Sequence, residues 1–154
     1  GGGAGREGQF FQEQGLQVIC TDLSPNLVEF CRAKGLEAYV MDVLHLDFPK
    51  EHFDCVFSLN CLLHVPKVDI DQALIEIRKL LKPSGLFYLG VYGGRDFEGT
   101  WPEDRYEPKR FFSLFADQAM LTLVMKYFEL IYFRQVQIEG RGEQHFQSLM
   151  LRKV

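Results

Sequence analysis

Short β-rich runs alternate with amphipathic helical patterns along most of this chain, and that alternation admits few architectures other than βαβ units wound around a parallel sheet. The first run is QVICTD, from Gln17 to Asp22. In the SPNLVEFCRAKG that follows, Ser24 is placed to cap a helix and Pro25 to take its first position, while Leu27, Phe30 and Cys31 share an apolar face and Gly35 ends the pattern. A second run, EAYVMD, ends on Asp42, and a third, FDCVFSLN, is apolar almost throughout, as suits a strand covered on both faces. In VDIDQALIEIRKLLKPSG, residues Ile70, Ala73, Leu74, Ile77 and Leu81 recur at helical spacing until Pro83 and Gly85 stop them. LFYLGVYG reads as the next strand, Gly93 to Pro108 as a loop without periodicity, and about Asp117 to Tyr127 as a helix. The last runs, FELIYFRQVQI and HFQSLMLRKV, are joined by EGRGEQ, a glycine-containing connection too short for anything but antiparallel neighbours. The expected fold class is α/β, a doubly wound and mostly parallel sheet ending in an antiparallel β-hairpin, within a single domain over residues 1–154.

Composition narrows the function. At 154 residues the chain is long enough to bury a core, 47% of it is apolar, and no window reaches the roughly 18 apolar residues of a membrane span. No basic segment followed by an apolar one opens the sequence, so the cytoplasm is the expected location. The net charge of −4, with both signs interspersed, disfavours a nucleic-acid substrate. Cys20, Cys31, Cys55 and Cys61 share no CxxC spacing, and Cys20 and Cys55 lie inside apolar runs, which points to buried, reduced thiols. His45, His52, His64 and His145 form no HxH or HExxH pattern, so no metal is expected.

The chain opens GGGAG. Gly1, Gly3 and Gly5 are spaced GxGxG, a pattern that lets backbone turn sharply and a ligand approach the main chain, and a helix over about Arg6 to Gln14 would aim its free amides at that turn. Glycines alone are equally the mark of a flexible chain end. Asp22, about twenty residues on, ends a strand where an acid in a doubly wound fold accepts hydrogen bonds from ribose hydroxyls. Asp42 ends the next strand and suits an adenine amino group, although by itself it reads equally as a turn residue. Together these residues trace a nucleoside-shaped path along the carboxyl ends of the strands.

With GGGAG, VICTDLSPNLVEFCRAKG, AYVMDVLHLDFPKEHFDCVFSLNCLLHVP and IRKLLKPSGLFYL in this order, residues 1 to about 91 resemble the class I S-adenosylmethionine-dependent methyltransferases. The resemblance implies a Rossmann-like sheet, S-adenosylmethionine as cofactor, S-adenosylhomocysteine as product and a small-molecule methyl acceptor. It implies that Gly1, Gly3 and Gly5 lie beside the methionine part of the cofactor, that Asp22 holds the ribose, and that Leu23 packs on the adenine. Asp42 and the amide of Val43 would read the adenine edge, and Asn60 and Cys61 would line the methionine moiety. The family's motif begins with a strand and an acidic residue ahead of the first glycine, which leads to the expectation that the first strand is missing from this chain and that the domain is N-terminally incomplete. Ala116 stands where the related pattern often has a hydroxyl cap, leaving Asp117 to cap the last helix.

A methyl group on a sulfonium is already activated, so such a protein mainly binds, aligns and excludes water. His64, in NCLLHVP, is the candidate base for a hydroxyl or amine acceptor, with a structural role at the start of the next helix as the competing reading. The loop after LFYLGVYG offers Tyr92, Arg95, Asp96, Trp101, Arg105 and Tyr106 for acceptor binding, although Trp101 and Tyr106 could equally pin the loop to the body. Two other functions compete. A nicotinamide-dependent oxidoreductase would need glycine where Arg6 stands, and a non-catalytic binding subunit could share the fold.

Overall fold

The computed structural model describes residues 1–140 and 144–154. It contains two compact units, Gly1–Asp47 and Phe48–Val154.

The first unit holds α1 (Arg6–Glu13), β1 (Ile19–Asp22), α2 (Pro25–Ala33) and β2 (Glu37–Val40). Strands β1 and β2 pair in parallel, with Cys20 opposite Ala38 and Asp22 opposite Val40. Helix α2 begins as its sequence dictates: Ser24 Oγ accepts the Leu27 N–H at 3.4 Å and Pro25 opens the first turn. Gly35 follows the helix with a φ of 77°. The helix buries Val28 and Cys31, which pack with Cys20, Leu36 and Ala38. Phe30, expected on that face, is exposed, because the buried stripe runs through Val28 and Cys31, one residue later than Leu27 and Phe30.

The second unit holds β3 (Phe53–Leu59), a 3-10 turn (Leu62–His64), α3 (Ile70–Leu80), β4 (Leu81–Gly93), β5 (Phe97–Thr100), β6 (Phe111–Leu114), α4 (Asp117–Val124), β7 (Glu129–Gln137) and β8 (His145–Arg152). Its larger sheet has the order β3-β4-β8-β7. β3 and β4 run parallel, whereas β8 is antiparallel to both β4 and β7. The EGRGEQ connection falls in part on Arg141, Gly142 and Glu143, outside the described residues.

The core lies on the face of this sheet that carries Phe87, Leu89, Leu149 and Leu151. Helix α3 covers it with Ile70, Ala73, Leu74 and Ile77, and each large apolar side chain fully buried there contributes about 1.5–3 kcal/mol. Leu81, expected as the last residue of that helical stripe, instead starts β4 while staying fully buried. Pro83 explains the change, because the residue before a proline is driven to extended backbone and the helix has to stop ahead of it. The amides of Glu51 and His52 take up the Lys79 and Leu80 carbonyls left at the end of α3.

Two further expectations fail along β3 and the segment after β4. FDCVFSLN is not covered on both faces: Asp54, Cys55 and Phe57 are exposed, and Cys55 is not a buried thiol. The reason is position, for β3 is the edge of its sheet among the described residues and gains cover only where its side chains turn toward the core. Nor is the segment from Gly93 to Pro108 structureless. β5 within it pairs antiparallel with β6, Phe97 opposite Leu114 and Thr100 opposite Phe111.

Candidate functional site

In the first unit the glycine turn is stitched to the end of β1. The Gly2 N–H donates to the Thr21 carbonyl at 2.5 Å, and the Gly5 N–H to the Gly2 carbonyl at 3.0 Å. Gly3 and Gly5 take φ values of 51° and 79°, the left-handed region that glycine enters without penalty. Gly5 begins α1, and no side chain caps that helix. Gly1 lies exposed at the start of the turn.

Asp22 is the hub of this arrangement. Its Oδ2 accepts the Gly3 N–H and its Oδ1 the Ser24 N–H, each at 3.0 Å. One carboxylate thus ties the turn to the start of α2, and each oxygen keeps a further lone pair. Leu23, next to it, is 68% exposed, an apolar side chain with nothing over it. The Met41 N–H donates to the Asp22 carbonyl at 3.0 Å, which brings the next residue, Asp42, to the same end of the ladder. Asp42 lies two residues beyond β2, and its Oδ1 accepts the Leu44 N–H at 2.9 Å while its carbonyl accepts the His45 N–H at 3.0 Å, the bonding of an Asx turn. Val43, inside that turn, is half-buried. Gly3, Asp22, Leu23, Asp42 and Val43 therefore gather at the carboxyl end of the β1–β2 ladder.

Gly8 is a further residue that shapes the site. A methyl group there would stand 2.8 Å from Cys20 Sγ, so glycine is what lets α1 lie against β1. An isolated glycine inside a helical pattern was the available signal.

In the second unit the carboxyl end of β3 carries Asn60, whose N–H donates to the Gly90 carbonyl at 2.7 Å. Its φ is 50°, and its Oδ1 is buried without a partner. Cys61 is half-buried and leads into the 3-10 turn. His64 at the end of that turn is exposed, with Nδ1 2.8 Å from the Phe111 carbonyl and its ring 4.8 Å from that of Phe112. A carbonyl only accepts, so Nδ1 carries a proton in this contact, which leaves Nε2 as the nitrogen that faces away from it.

The acceptor-loop candidates lie around the β5–β6 hairpin. Tyr92 meets Phe146 edge to face, with centroids 5.8 Å apart. Arg95 stacks on Trp101 at 5.3 Å, and Trp101 also meets Phe97 and Phe112 edge to face. Tyr106 lies under the Arg110 guanidinium at 4.2 Å, while Asp96 is paired with Lys67 Nζ at 3.0 Å. Arg105 is exposed.

Two polar clusters here had no flag in the sequence, because their members come from segments far apart or unpatterned. Arg110 donates to both oxygens of Asp104, from Nε at 2.9 Å and from a terminal nitrogen at 2.8 Å, and its backbone N–H reaches the same carboxylate. That guanidinium holds the Asp104 carboxyl well below the usual carboxylate range. The second cluster is built on Asp117. His145 Nε2 and Gln147 Nε2 lie 2.8 Å and 2.7 Å from its Oδ1, and Gln135 donates to Oδ2. Burial alone would raise the Asp117 carboxyl, but these hydrogen bonds outweigh it and hold the group below its ordinary value. Asp117 was expected to cap α4; instead Ala116 is the N-cap, no side chain caps the helix, and the carboxylate is committed to β7 and β8.

Residues 1–89 match a family described as a methyltransferase domain. Phosphoethanolamine N-methyltransferase 2 of Caenorhabditis elegans is 32% identical over 100 residues, covering 60% of this chain and 22% of that protein. The chain spans no more than about a fifth of the length of the curated relatives it matches. Among solved structures, a SAM-dependent methyltransferase from Methanosarcina mazei aligns over 100% of this chain and 90% of its own, with a TM-score of 0.85 and 19% identity. The Burkholderia thailandensis 1,6-didemethyltoxoflavin-N1-methyltransferase, solved with 1,6-didemethyltoxoflavin and S-adenosylhomocysteine bound, aligns over 100% of this chain and 68% of its own, with a TM-score of 0.80 and 23% identity. The fold is that of these α/β proteins.

Proposed function

The chain belongs to the methyltransferase domain family, and on that premise we propose that it transfers a methyl group from S-adenosylmethionine to a small-molecule acceptor, with S-adenosylhomocysteine as the product. The observation that carries this reading is Asp22, a carboxylate at the carboxyl end of a parallel strand that also grips the amide of a left-handed glycine. The residues fit an adenosyl ligand in two further ways. No atom lies within 4 Å of where a Gly3 side chain would begin, which leaves the turn open to a ligand, and the buried Asn60 Oδ1 lacks a donor.

When bound, the sulfonium supplies a methyl group already activated for displacement. The remaining work belongs to the chain. Asp22 accepts from ribose hydroxyls through the lone pairs that Gly3 and Ser24 leave free, and the exposed Leu23 side chain gives the adenine an apolar surface. Asp42 and the Val43 amide are assigned to the adenine edge, Gly1, Gly3 and Gly5 to close main-chain approach, and Asn60 and Cys61 to the methionine end. His64, its Nδ1 proton held by Phe111, takes a proton from the acceptor at Nε2. Tyr92, Arg95, Trp101 and Tyr106 are assigned to the acceptor. The same reading takes residues 1–154 as one methyltransferase domain, acting in the cytoplasm on a metabolite and not on nucleic acid.

Calorimetric titration of the full-length protein with S-adenosylhomocysteine tests the reading. Asp22→Ala should weaken binding by about 1.5–3 kcal/mol through loss of a charge-assisted contact. An unchanged affinity removes Asp22 from the site, and stabilisation of the protein by NAD in place of the methyl donor would favour an oxidoreductase.

A further inference from the structure

Two side chains from the end of α2 reach back to the glycine turn. Cys31 Sγ donates to the Gly3 carbonyl at 3.3 Å, and Lys34 Nζ to the Ala4 carbonyl at 2.7 Å. Cys31 and Lys34 are three residues apart, the spacing that sets two side chains on one face of a helix, and the carbonyls they take are successive. Lys34 is the C-cap residue of α2, where a lysine ordinarily serves the last carbonyls of its own helix; here it spans 30 residues to the turn instead. The Gly2 and Gly5 carbonyls are taken by the Gly5 and Gln9 amides, so each carbonyl from Gly2 to Gly5 has a donor. The amides divide differently. Gly2 donates to Thr21, Gly3 to Asp22 and Gly5 to Gly2, whereas the Ala4 N–H has no acceptor among the described residues. The bond joining Gly3 to Ala4 is trans, and a trans peptide carries its C=O and N–H on opposite sides. A Gly3 carbonyl held against α2 therefore turns the N–H of the exposed Ala4 away from α2.

We propose that Cys31 and Lys34 are positioning residues: by holding the Gly3 and Ala4 carbonyls against α2, they aim the Ala4 N–H at an acceptor atom on the methionyl end of an adenosyl ligand. The proposal rests on the cofactor reading above, which sets the glycine turn beside that end. Glycine by itself does not fix the direction of its peptide planes, because the freedom that lets Gly3 hold a φ of 51° also lets the flanking peptides swing. A peptide swung the other way would present carbonyl lone pairs to the ligand in place of a donor. Pegs outside the turn prevent this. The two pegs differ in kind. Cys31 is 1% exposed and offers a weak S–H donor that no water competes for, whereas Lys34 is exposed and makes a charge-assisted bond in contact with solvent. Both act through the backbone of the turn, not by touching the ligand.

Lys34→Met keeps an apolar stem and removes the donor, and Lys34→Arg puts a donor of the same charge back. Calorimetric titration of the full chain with S-adenosylhomocysteine, and with adenosine, which lacks the methionyl end, separates positioning from general weakening. Lys34→Met should lose about three- to tenfold in S-adenosylhomocysteine affinity, the worth of one hydrogen bond, and keep its adenosine affinity. Lys34→Arg should recover the loss. An unchanged S-adenosylhomocysteine affinity in Lys34→Met overturns the proposal, as does an equal loss for both ligands. Cys31→Ser, which keeps a donor, should bind S-adenosylhomocysteine more tightly than Cys31→Ala, and equal affinities overturn the part given to Cys31. The Gly5 amide nitrogen is bonded to the Ala4 carbonyl carbon, so its NMR resonance in the free protein should move in Lys34→Met and return in Lys34→Arg. If no form of the protein binds either ligand, the cofactor reading fails; a Gly5 resonance that still moves then supports the hold on the turn, and one that stays in place overturns that hold too.

Discussion

Gly5 and Gly3 both hold positive φ, at 79° and 51°, yet a methyl group meets different surroundings at each. At Gly3 it meets open space, so Gly3→Ala should cost only the left-handed conformation, about 1–2 kcal/mol. At Gly5 it would fall 2.8 Å from Leu36 Cδ1 and 3.3 Å from the Cys31 Cα, adding an overpacking cost of about 1–3 kcal/mol. Denaturant unfolding should accordingly rank Gly5→Ala well below Gly3→Ala in stability, with the m-value unchanged; equal losses would contradict the geometry. Gly8→Ala sets a gain in helix propensity of about 1 kcal/mol against contact with Cys20 Sγ at 2.8 Å, and the contact should win. For His64 the expectation is kinetic. On the proposed assignment, His64→Gln should lower kcat by about a hundredfold or more while leaving S-adenosylhomocysteine affinity in place, and a variant with full kcat would return His64 to a structural role.

The β5–β6 hairpin is held at its turn by the Asp104–Arg110 clamp, with the guanidinium also stacked on Tyr106 and Phe112. Asp104→Ala should therefore speed hydrogen exchange at the amides of Phe97–Thr100 and Phe111–Leu114 ahead of those in α3; uniform protection across both would show that the clamp is dispensable. The pairing that forms this hairpin is long-range and leaves no local pattern in the sequence. The helices α2 and α3 were legible because Ser24, Pro25 and the stripe Ile70, Ala73, Leu74 and Ile77 act within a few residues of one another. The β1 and β2 strands were legible for the same reason, whereas Asp22, which reaches the glycine turn across 19 residues, was legible only from its place at a strand end. β5 was not, since FEGT has no apolar alternation and becomes a strand only through pairing with β6 ten residues on. Asp117 was misread because its partners, His145 and Gln147, come from a strand nearly thirty residues away, and a long-range hydrogen bond outcompetes a local cap without leaving a mark in the sequence.

On the scale of the whole molecule, acid should act unevenly. Asp54, Asp96, Asp104 and Asp117 are all held below the ordinary carboxylate range, and all belong to the second unit. Lys82 is the main cause at Asp54, Lys67 at Asp96 and Arg110 at Asp104, whereas Asp117 is lowered by hydrogen bonds against its own burial. A depressed folded-state value means the unfolded chain binds protons first, so the stabilisation is fully present above the unfolded value of about 3.9 and is lost as pH falls through the folded values. Exchange protection in residues 48–154 should hold near neutrality and decline below about pH 4, and a decline that began near pH 6 would point to other groups. Among the described residues no helix is long and apolar enough to cross a membrane. The imidazole of His64 is steadied by a main-chain oxygen, which replacement of the Phe111 side chain does not delete. On the proposed assignment of His64 as the base, substitution of the neighbouring aromatic and charged side chains leaves in place the backbone oxygen that orients the ring.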